Sequence, residues 1–362
     1  MHRARMLTTG FQATQGRGAS SEDEQPHDTH VPLDTRTGPH VGVPFIPTPH
    51  HSSLVLSMFF RNLTLFRFST SVAKSLKDLD AALGQHALRA CGPLETVTRG
   101  FVSPFGPDSE VLTHTIGKAT LVTLGSEEKL LPAAVVNAEL GKRLRKEADR
   151  RGRPVGGRQR RAIKAEVLDA LLPRAFVRPS RLNAWLDSKN GWLVLDTASR
   201  KTAEAALTAL REALGSFPAQ PLAAAETPRA LMTDWLGSGK LPAGLRLSDE
   251  CELREPAGGA VIRCRRQELE SAEVRAHLKQ GKQVFQVGLQ FEDRAGFVLG
   301  EDLVIRKLRF LDVVQDSLDA DGRDSAEAEL DARFALMTLE LERLFAGMEK
   351  WFGLERPDSK DD

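Results

Sequence analysis

Basic residues are concentrated between Lys142 and Lys164, and they are the strongest chemical signal in the chain. This segment of 23 residues holds eleven Lys and Arg side chains against two acidic ones, a net charge of +9. Eight of the eleven are Arg, whose planar guanidinium suits contact with phosphate. The excess is too large for neutralisation by acidic side chains three or four positions away on a helix. The segment favours binding of an anionic polymer over the alternative of a solvated helix face. The candidate phosphate-binding residues are Lys142, Arg143, Arg145, Lys146, Arg150, Arg151, Arg160, Arg161 and Lys164.

Two shorter basic stretches follow. In the first, Arg263 and Arg265 would point to one face of a strand, while Arg266 and Gln267 at its end could reach elsewhere. The second contains Arg306, Lys307 and Arg309. Either stretch could simply be a charged edge strand that discourages aggregation. Together with the first segment, however, they shift the balance towards an anionic polymer as ligand.

The elements that must carry these residues are a mixture of helices and strands. The segment from Ala133 to Arg151 and the segment from Arg158 to Leu172 have helical periodicity, and a Gly/Pro-rich break at 152–157 separates them. This pattern predicts an exposed helical finger. Asn190-Gly191 between two apolar runs predicts a tight β-hairpin, because Asn-Gly readily adopts the positive φ angles of such a turn.

Further strands are predicted at 112–124 (a hairpin broken at Gly117), 260–265, 282–291 and 303–310, with helices at 202–214, 271–280 and 325–352. No strict βαβ alternation and no repeat of fixed period is present. The fold class is therefore α+β.

The net charge of +1 is a cancellation between opposite regions. Residues 311–362 hold fifteen acidic side chains against six basic ones, which offsets the basic segment. Solubility alone could explain this acidic region; the hypothesis is that it keeps outer surfaces from adhering to nucleic acid. The three cysteines form no CxxC pair, and no apolar run approaches the ~18 residues of a membrane span. These features predict a cytoplasmic protein without a membrane partner.

Enzymatic motifs are weak in this sequence. The Gly237–Lys240 stretch resembles a phosphate loop but lacks the following Ser or Thr, so a helix-ending turn is the better interpretation. Asp187 and Asp196 flank the predicted hairpin and could imitate the metal-binding carboxylates of a nuclease, although Asp at strand ends also suits turn chemistry. The sequence predicts no catalytic residue, cofactor or metal site. A metal-dependent nuclease that uses scattered carboxylates and a basic RNA-binding protein remain as alternatives.

From Met58 to about Leu344 the chain resembles the RdgC family of recombination-associated, nucleoid-associated DNA-binding proteins. The order and spacing of short motifs carry this resemblance. They include Phe60-Arg61-Asn62-Leu63, Leu171-Leu172-Pro173-Arg174-Ala175-Phe176, the Trp185 to Gly191 hairpin, Val261-Ile262-Arg263 with Arg266-Gln267, Lys307-Leu308-Arg309-Phe310 and Phe334-Ala335-Leu336-Met337-Thr338.

The resemblance implies a horseshoe-like protomer of several subdomains, with antiparallel sheets and helices. Two protomers would form a homodimer that closes into a ring around duplex DNA. Binding would be independent of sequence, and single-stranded DNA would be a second ligand. The bound protein would limit RecA-dependent recombination and affect replication-associated repair. By the same resemblance, Arg174, Phe176, Arg266 and Gln267 join the candidate DNA-binding or ring-gating positions. Phe176 could equally be a core or interface anchor.

The sequence also suggests five divisions of the chain. Residues 1–57 contain no Lys and no sustained periodicity, which predicts a disordered leader or a start codon assigned too far upstream. The remaining divisions are an N-terminal α+β part (58–132), the basic helical finger (133–180), an α+β part with the hairpin and second basic stretch (181–310) and an acidic C-terminal helical region (311–362).

Overall fold

A computed structural model describes residues 59–74, 76–319 and 326–357; the predicted leader lies outside them. The strands are β1 (Leu63–Arg67), β2 (Val97–Val102), β3 (Thr113–Ile116), β4 (Ala119–Leu130), β5 (Phe176–Asp187), β6 (Trp192–Asp196), β7 (Gln220–Pro221), β8 (Leu245–Arg254), β9 (Val261–Arg265), β10 (Gln283–Phe291), β11 (Ala295–Gly300) and β12 (Ile305–Phe310). The α-helices are α1 (Leu79–Gly84), α2 (Ala133–Arg151), α3 (Gly157–Leu171), α4 (Arg200–Leu214), α5 (Pro228–Ser238), α6 (Ala272–Lys279), α7 (Asp312–Asp319) and α8 (Ala326–Phe352).

All twelve strands belong to one sheet, and every pairing between them is antiparallel. The main order is β2-β4-β5-β6-β1-β12-β11-β10-β8-β9, with β3 beside β4 and β7 beside β1. This order confirms the α+β class without βαβ units, but the expectation of several sheets is wrong. The first of the described strands, β1, joins the strands from the middle of the chain to those near its end.

Apolar side chains are buried on both faces of the central strands. On β1, Leu63 and Leu65 belong to one core cluster, whereas Phe66 belongs to another, because successive side chains point to opposite faces. The first cluster includes the apolar stripe of α8, whose Phe334, Met337, Leu341, Phe345, Met348 and Phe352 recur at helical spacing. The second includes Leu207 and Leu210 of α4. The sheet is therefore held between helices on its two sides.

Several acidic residues of α8 have basic partners in the rest of the fold. Glu340, which is buried, accepts two hydrogen bonds from Arg294 at 2.6 and 2.7 Å. Glu349 lies 3.0 Å from the buried Arg67. These carboxylates stabilise the packing of the helix, so they are not a free acidic surface. The hypothesis that the remaining acidic residues repel nucleic acid stays a prediction.

The local predictions for hairpins and helices are confirmed. Strands β5 and β6 pair across the Asn190-Gly191 turn, where Gly191 has φ of 69°, and β3 pairs with β4 across Gly117. Gly239, with φ of 70°, ends α5 as the predicted helix-ending turn. Strands β2, β7, β8 and β11 were not among the predicted elements. Among the described residues, no helix combines the length and apolar character needed to cross a membrane.

Candidate nucleic-acid interface

The finger, defined as α2, α3 and the turn between them, is inserted between two long paired strands. Strands β4 and β5 pair over twelve residues, from Ala119 opposite Asp187 to Leu130 opposite Phe176. The chain leaves the far end of this ladder, forms the two helices and returns to it. Gly152 takes a left-handed conformation at the end of α2, with φ of 65°, which reverses the chain direction. The predicted exposed helical finger is confirmed.

A small core of its own holds the finger together. Val136 and Leu140 of α2 pack with Ile163 and Val167 of α3, and these four residues form a cluster separate from the two clusters of the sheet. The Lys129 ammonium also donates a hydrogen bond to the Leu172 carbonyl at 2.9 Å, which ties the base of the finger to β4. The apolar positions thus face inward and leave the basic positions to solvent.

Ten of the eleven basic side chains of the finger segment are exposed, and Arg143 is half-buried. Glu139 pairs with Lys142 and Arg143, and Glu147 pairs with Arg150 and Arg151. Within the described part of the chain, the other seven have no carboxylate partner. These seven are Arg145, Lys146, Arg153, Arg158, Arg160, Arg161 and Lys164.

Glu147 is the main internal counter-charge of the finger. Arg150 and Arg151 of the same helix donate hydrogen bonds to it, at 2.8 and 2.6 Å for the shortest contacts, and Gln159 of α3 donates another at 2.6 Å. These donors, Arg150 foremost, lower the pKa of Glu147 to about 2. Because Gln159 lies on the other helix, the carboxylate links the two helices as well as orienting two arginines.

Phe176 and Arg174 lie at the base of the finger. Phe176 is 84% exposed, and its cross-strand partner Leu130 is also exposed. The alternative in which Phe176 is a core residue of the protomer is therefore wrong, while contact with DNA or with another protomer stays open. Residues 176–181 of β5 are all exposed, as is Arg174. An exposed aromatic ring beside an exposed cation offers a contact surface for DNA or for another protomer.

The second and third basic stretches, far apart in sequence, lie together over the other half of the sheet. A cavity of about 270 Å³ is lined by Arg265 and Arg266 on one side and by Lys307 and Arg309 on the other. We call this cavity the groove. Arg265, Arg266 and Arg309 have no carboxylate partner among the described residues, whereas Lys307 pairs with Glu250 at 2.5 Å. Neither the grouping nor its shape was predicted from the sequence.

Local irregularities of the strands aim these side chains into the groove. Arg266 and Lys307 both have φ of 53°, a left-handed conformation that costs a non-glycine residue about 1 kcal/mol or more. Lys307 lies at a register shift between β11 and β12, where Gly296 pairs with Arg309 but Val298 pairs with Arg306. Bulges of this kind turn side chains out of the regular alternation.

The remaining predicted residues of these stretches have other partners. Arg263 donates to Glu252 at 2.6 Å, and Glu252 also binds Arg254. Gln267 is half-buried, and its backbone N–H donates to the Asp249 carbonyl at 3.2 Å. Arg306 is paired with Asp302 at 2.7 Å. Arg263 and Arg306 are thus less available to an anionic ligand than Arg265, Arg266 and Arg309.

The two carboxylates of the nuclease alternative serve the backbone. Asp187 is buried and accepts hydrogen bonds from the N–H groups of Lys189 and Asn190 at 2.9 and 3.0 Å, which is turn chemistry. Asp196 accepts the N–H groups of Arg61 and Asn62, and burial raises its pKa. Asp187 ends β5 opposite Trp192, the first residue of β6, whereas Asp196 is the last residue of β6, so the two carboxylates do not form a site together. Within the described ranges, no cluster of three or more His, Cys, Asp or Glu side chains could hold a metal ion.

These features describe an α+β protein built on one antiparallel sheet, with exposed cations on a helical finger and around a groove. The chain belongs to the RdgC family: the family model described as "Putative exonuclease, RdgC" matches residues 58–355. It is 46% identical over 303 residues to "Recombination-associated protein RdgC" of Stenotrophomonas maltophilia (strain R551-3), covering 83% of this chain and all of that protein. A protein of the same name from Xylella fastidiosa (strain 9a5c) is 48% identical over 294 residues, which is 81% of this chain and 97% of the relative. The family resemblance seen in the sequence is confirmed.

Proposed function

We propose that this protein binds DNA without sequence specificity and acts as a homodimer that closes into a ring around the duplex. In this role it associates with the nucleoid in the cytoplasm and limits RecA-dependent recombination by competing for DNA, with single-stranded DNA as a second ligand. The observation that carries the proposal is the set of seven exposed finger cations that have no carboxylate partner among the described residues.

Unpaired cations favour a polyanion for a physical reason. Each Lys or Arg that neutralises a DNA phosphate releases condensed counterions, so affinity falls steeply as salt rises. Contacts of this kind carry no base information, since the phosphate backbone is the same in every sequence. A finger whose cations already had acidic partners would gain much less from DNA. The link to recombination rests on the relatives, which are recombination-associated proteins by name.

The binding test compares two pairs of adjacent arginines on the finger. Arg160→Ala with Arg161→Ala removes unpaired cations, whereas Arg150→Ala with Arg151→Ala removes two that Glu147 already binds. Both variants change the net charge equally. We expect the first to reduce the slope of log affinity against log salt by up to about 1.8, and the second to reduce it less. Fluorescence anisotropy with a random-sequence duplex measures both, and equal slopes in all three proteins would remove the finger from the interface.

The ring has its own test, because a closed ring cannot leave circular DNA without opening an interface. We expect protein bound to a nicked circle to survive a high-salt wash better than protein bound to the same DNA after linearisation. Equal retention would contradict encirclement. Sedimentation at several protein concentrations measures the dimer in parallel.

Two further assays address the recombination role and the alternatives. In a RecA strand-exchange reaction, the protein should inhibit in proportion to its occupancy of DNA, and the Arg160/Arg161 variant should inhibit less. Preference for structured RNA over duplex DNA at equal salt would favour the RNA-binding alternative. Release of nucleotides from DNA in the presence of Mg²⁺ or Mn²⁺ would favour a nuclease.

A further inference from the structure

An ion pair spans the floor of the groove across two intervening strands. Glu250 is on β8 and Lys307 is on β12, while β10 and β11 lie between them in the sheet. Three strand spacings separate β8 from β12, roughly 14 Å in a regular sheet. The two charged groups nevertheless meet at 2.5 Å, so their side chains together extend over the floor of the groove.

Two glycines leave room for charged side chains of the groove, Gly288 beside Glu250 and Gly296 beside Arg309. Val287 and Leu289 point into the core, so Gly288 between them faces the groove; Gly296, between Ala295 and Phe297, does the same on β11. A Cβ atom on Gly288 would lie 3.2 Å from Cγ of Glu250, and one on Gly296 would lie 3.0 Å from Nε of Arg309. Both positions therefore suit a floor on which long side chains lie flat.

The conformations at the ends of the pair also point to a ligand. The register of β8 against β10 shifts between Leu247 and Cys251, next to Glu250, and β12 is irregular at Lys307. Lys307 and Arg266 are both left-handed and face the same cavity from opposite sides. Conformations that are unfavourable for these residue types cluster at binding sites. The ion pair itself gives little stability in return, because the Lys307 side chain is 60% exposed.

We propose that the Glu250 carboxylate occupies the place of a DNA phosphate in the free protein, and that a backbone phosphate displaces it from Lys307 when DNA binds. Arg265, Arg266 and Arg309, which have no carboxylate partner in the described part of the chain, complete the phosphate site beside Lys307. This inference rests on the proposed DNA binding and adds a built-in competitor to it. Glu250 then lowers the affinity for DNA. It also favours ligands whose phosphate can reach over the floor of the groove to Lys307.

The test uses the full chain and a fluorescein-labelled random-sequence oligonucleotide of 20 nucleotides, single-stranded and as a duplex, at fixed salt. We expect Glu250→Gln to raise affinity on the order of three- to tenfold, because one like charge is removed from beside a partly exposed phosphate. The matched control is Glu204→Gln on α4, which makes the same charge change at an exposed carboxylate that pairs with Arg200, away from the groove. An equal gain in both variants would overturn the inference.

A double-mutant comparison separates displacement from simple repulsion. If Glu250 competes for Lys307, then Glu250→Gln should give a smaller gain in a Lys307→Gln background than in the native one. Glu250→Asp keeps the charge but shortens the side chain, so it should also raise affinity if reach matters. Equal gains in both backgrounds, together with no gain for Glu250→Asp, would leave only repulsion and overturn displacement. Thermal unfolding of each variant checks that the fold is retained, and Glu250→Asp alone decides the matter if a Lys307 variant fails to fold.

The source of the phosphate is tested with inorganic pyrophosphate by calorimetry. Pyrophosphate binding that responds to Glu250→Gln, without any response in DNA binding, would assign the groove to a free anion and overturn our inference. If the native protein does not bind DNA at all, the proposed function fails. If it binds DNA through the finger and none of the Glu250 variants changes affinity, only the present inference fails.

Discussion

The finger and the groove present positive charge in opposite ways. In the finger, cations project from two helices that hold only a small core of their own, and seven of them lack a carboxylate partner among the described residues. In the groove, cations border a cavity on the main sheet, and Asp249 and Glu250 line the same cavity. The finger is therefore suited to capture of a polyanion at many positions, and the groove to a closer contact that must first exclude a competing carboxylate.

The largest expected effect comes from charge reversal in each region. Replacing Arg145, Arg160 and Arg161 of the finger by Glu should weaken duplex binding by on the order of a hundredfold or more at 100 mM salt, because three phosphate contacts become repulsive. Replacing Arg265, Arg266 and Arg309 by Glu should weaken it less, since nearby carboxylates already offset part of their charge. Anisotropy titrations measure both variants. A larger loss from the groove variant would reverse the order that we assign to the two regions.

The next prediction concerns stability. Leu289 is fully buried in the main core beneath the groove, and Leu289→Ala should lower the free energy of unfolding of the whole sheet by about 2–5 kcal/mol. Ile163→Ala should instead destabilise the finger, where it removes one of only four buried apolar residues. Hydrogen exchange should then rise over 133–171 while the sheet keeps its protection. Faster exchange throughout the sheet in the Ile163 variant would show that the finger does not unfold independently.

The difference between the regions also explains what could be predicted from sequence. The finger depends on local signals: helical periodicity, a Gly/Pro break and a run of cations are all visible within 40 residues. The Asn190-Gly191 hairpin is local for the same reason. The groove joins residues from 248 to 309 through sheet pairing, and its shape depends on bulges and left-handed residues that no local pattern marks. Strand β8 escaped prediction because Asp249 interrupts its apolar alternation at the register shift, and β11 because two of its six residues are Gly.

A smaller effect is expected from Glu147→Gln, the finger counterpart of the Glu250 substitution. It should raise DNA affinity by about two- to threefold, because it releases Arg150 and Arg151 for phosphate contact. It should also loosen the two helices, because Gln159 loses a charged acceptor. Anisotropy and hydrogen exchange on the same variant measure these opposing results. Higher affinity with unchanged protection of α3 would mean that the Gln159 contact has no part in holding the finger closed.

The smallest expected effect is a difference in pH dependence between the finger and the sheet that carries it. On strand β3 of the sheet, His114 lies 2.8 Å from Asp331 of α8, between the rings of Phe105 and Phe334, with Glu327 as a second nearby acidic group. Burial lowers its pKa in spite of both carboxylates. The folded state therefore disfavours protonation of His114. Its contribution to stability is complete above the unfolded-state pKa of about 6.5 and is lost as pH falls below that value.

Glu147 of the finger behaves differently. Because its pKa is about 2, its contribution to stability is complete above about pH 4.5 and is lost only between that pH and about 2. Protection factors at pH 7.5 and 5.5 should thus fall at β3 and the start of α8 while those of the finger stay constant. Loss of protection in the finger over the same interval would show that its integrity depends on the sheet, and the finger and the sheet would then form one cooperative unit.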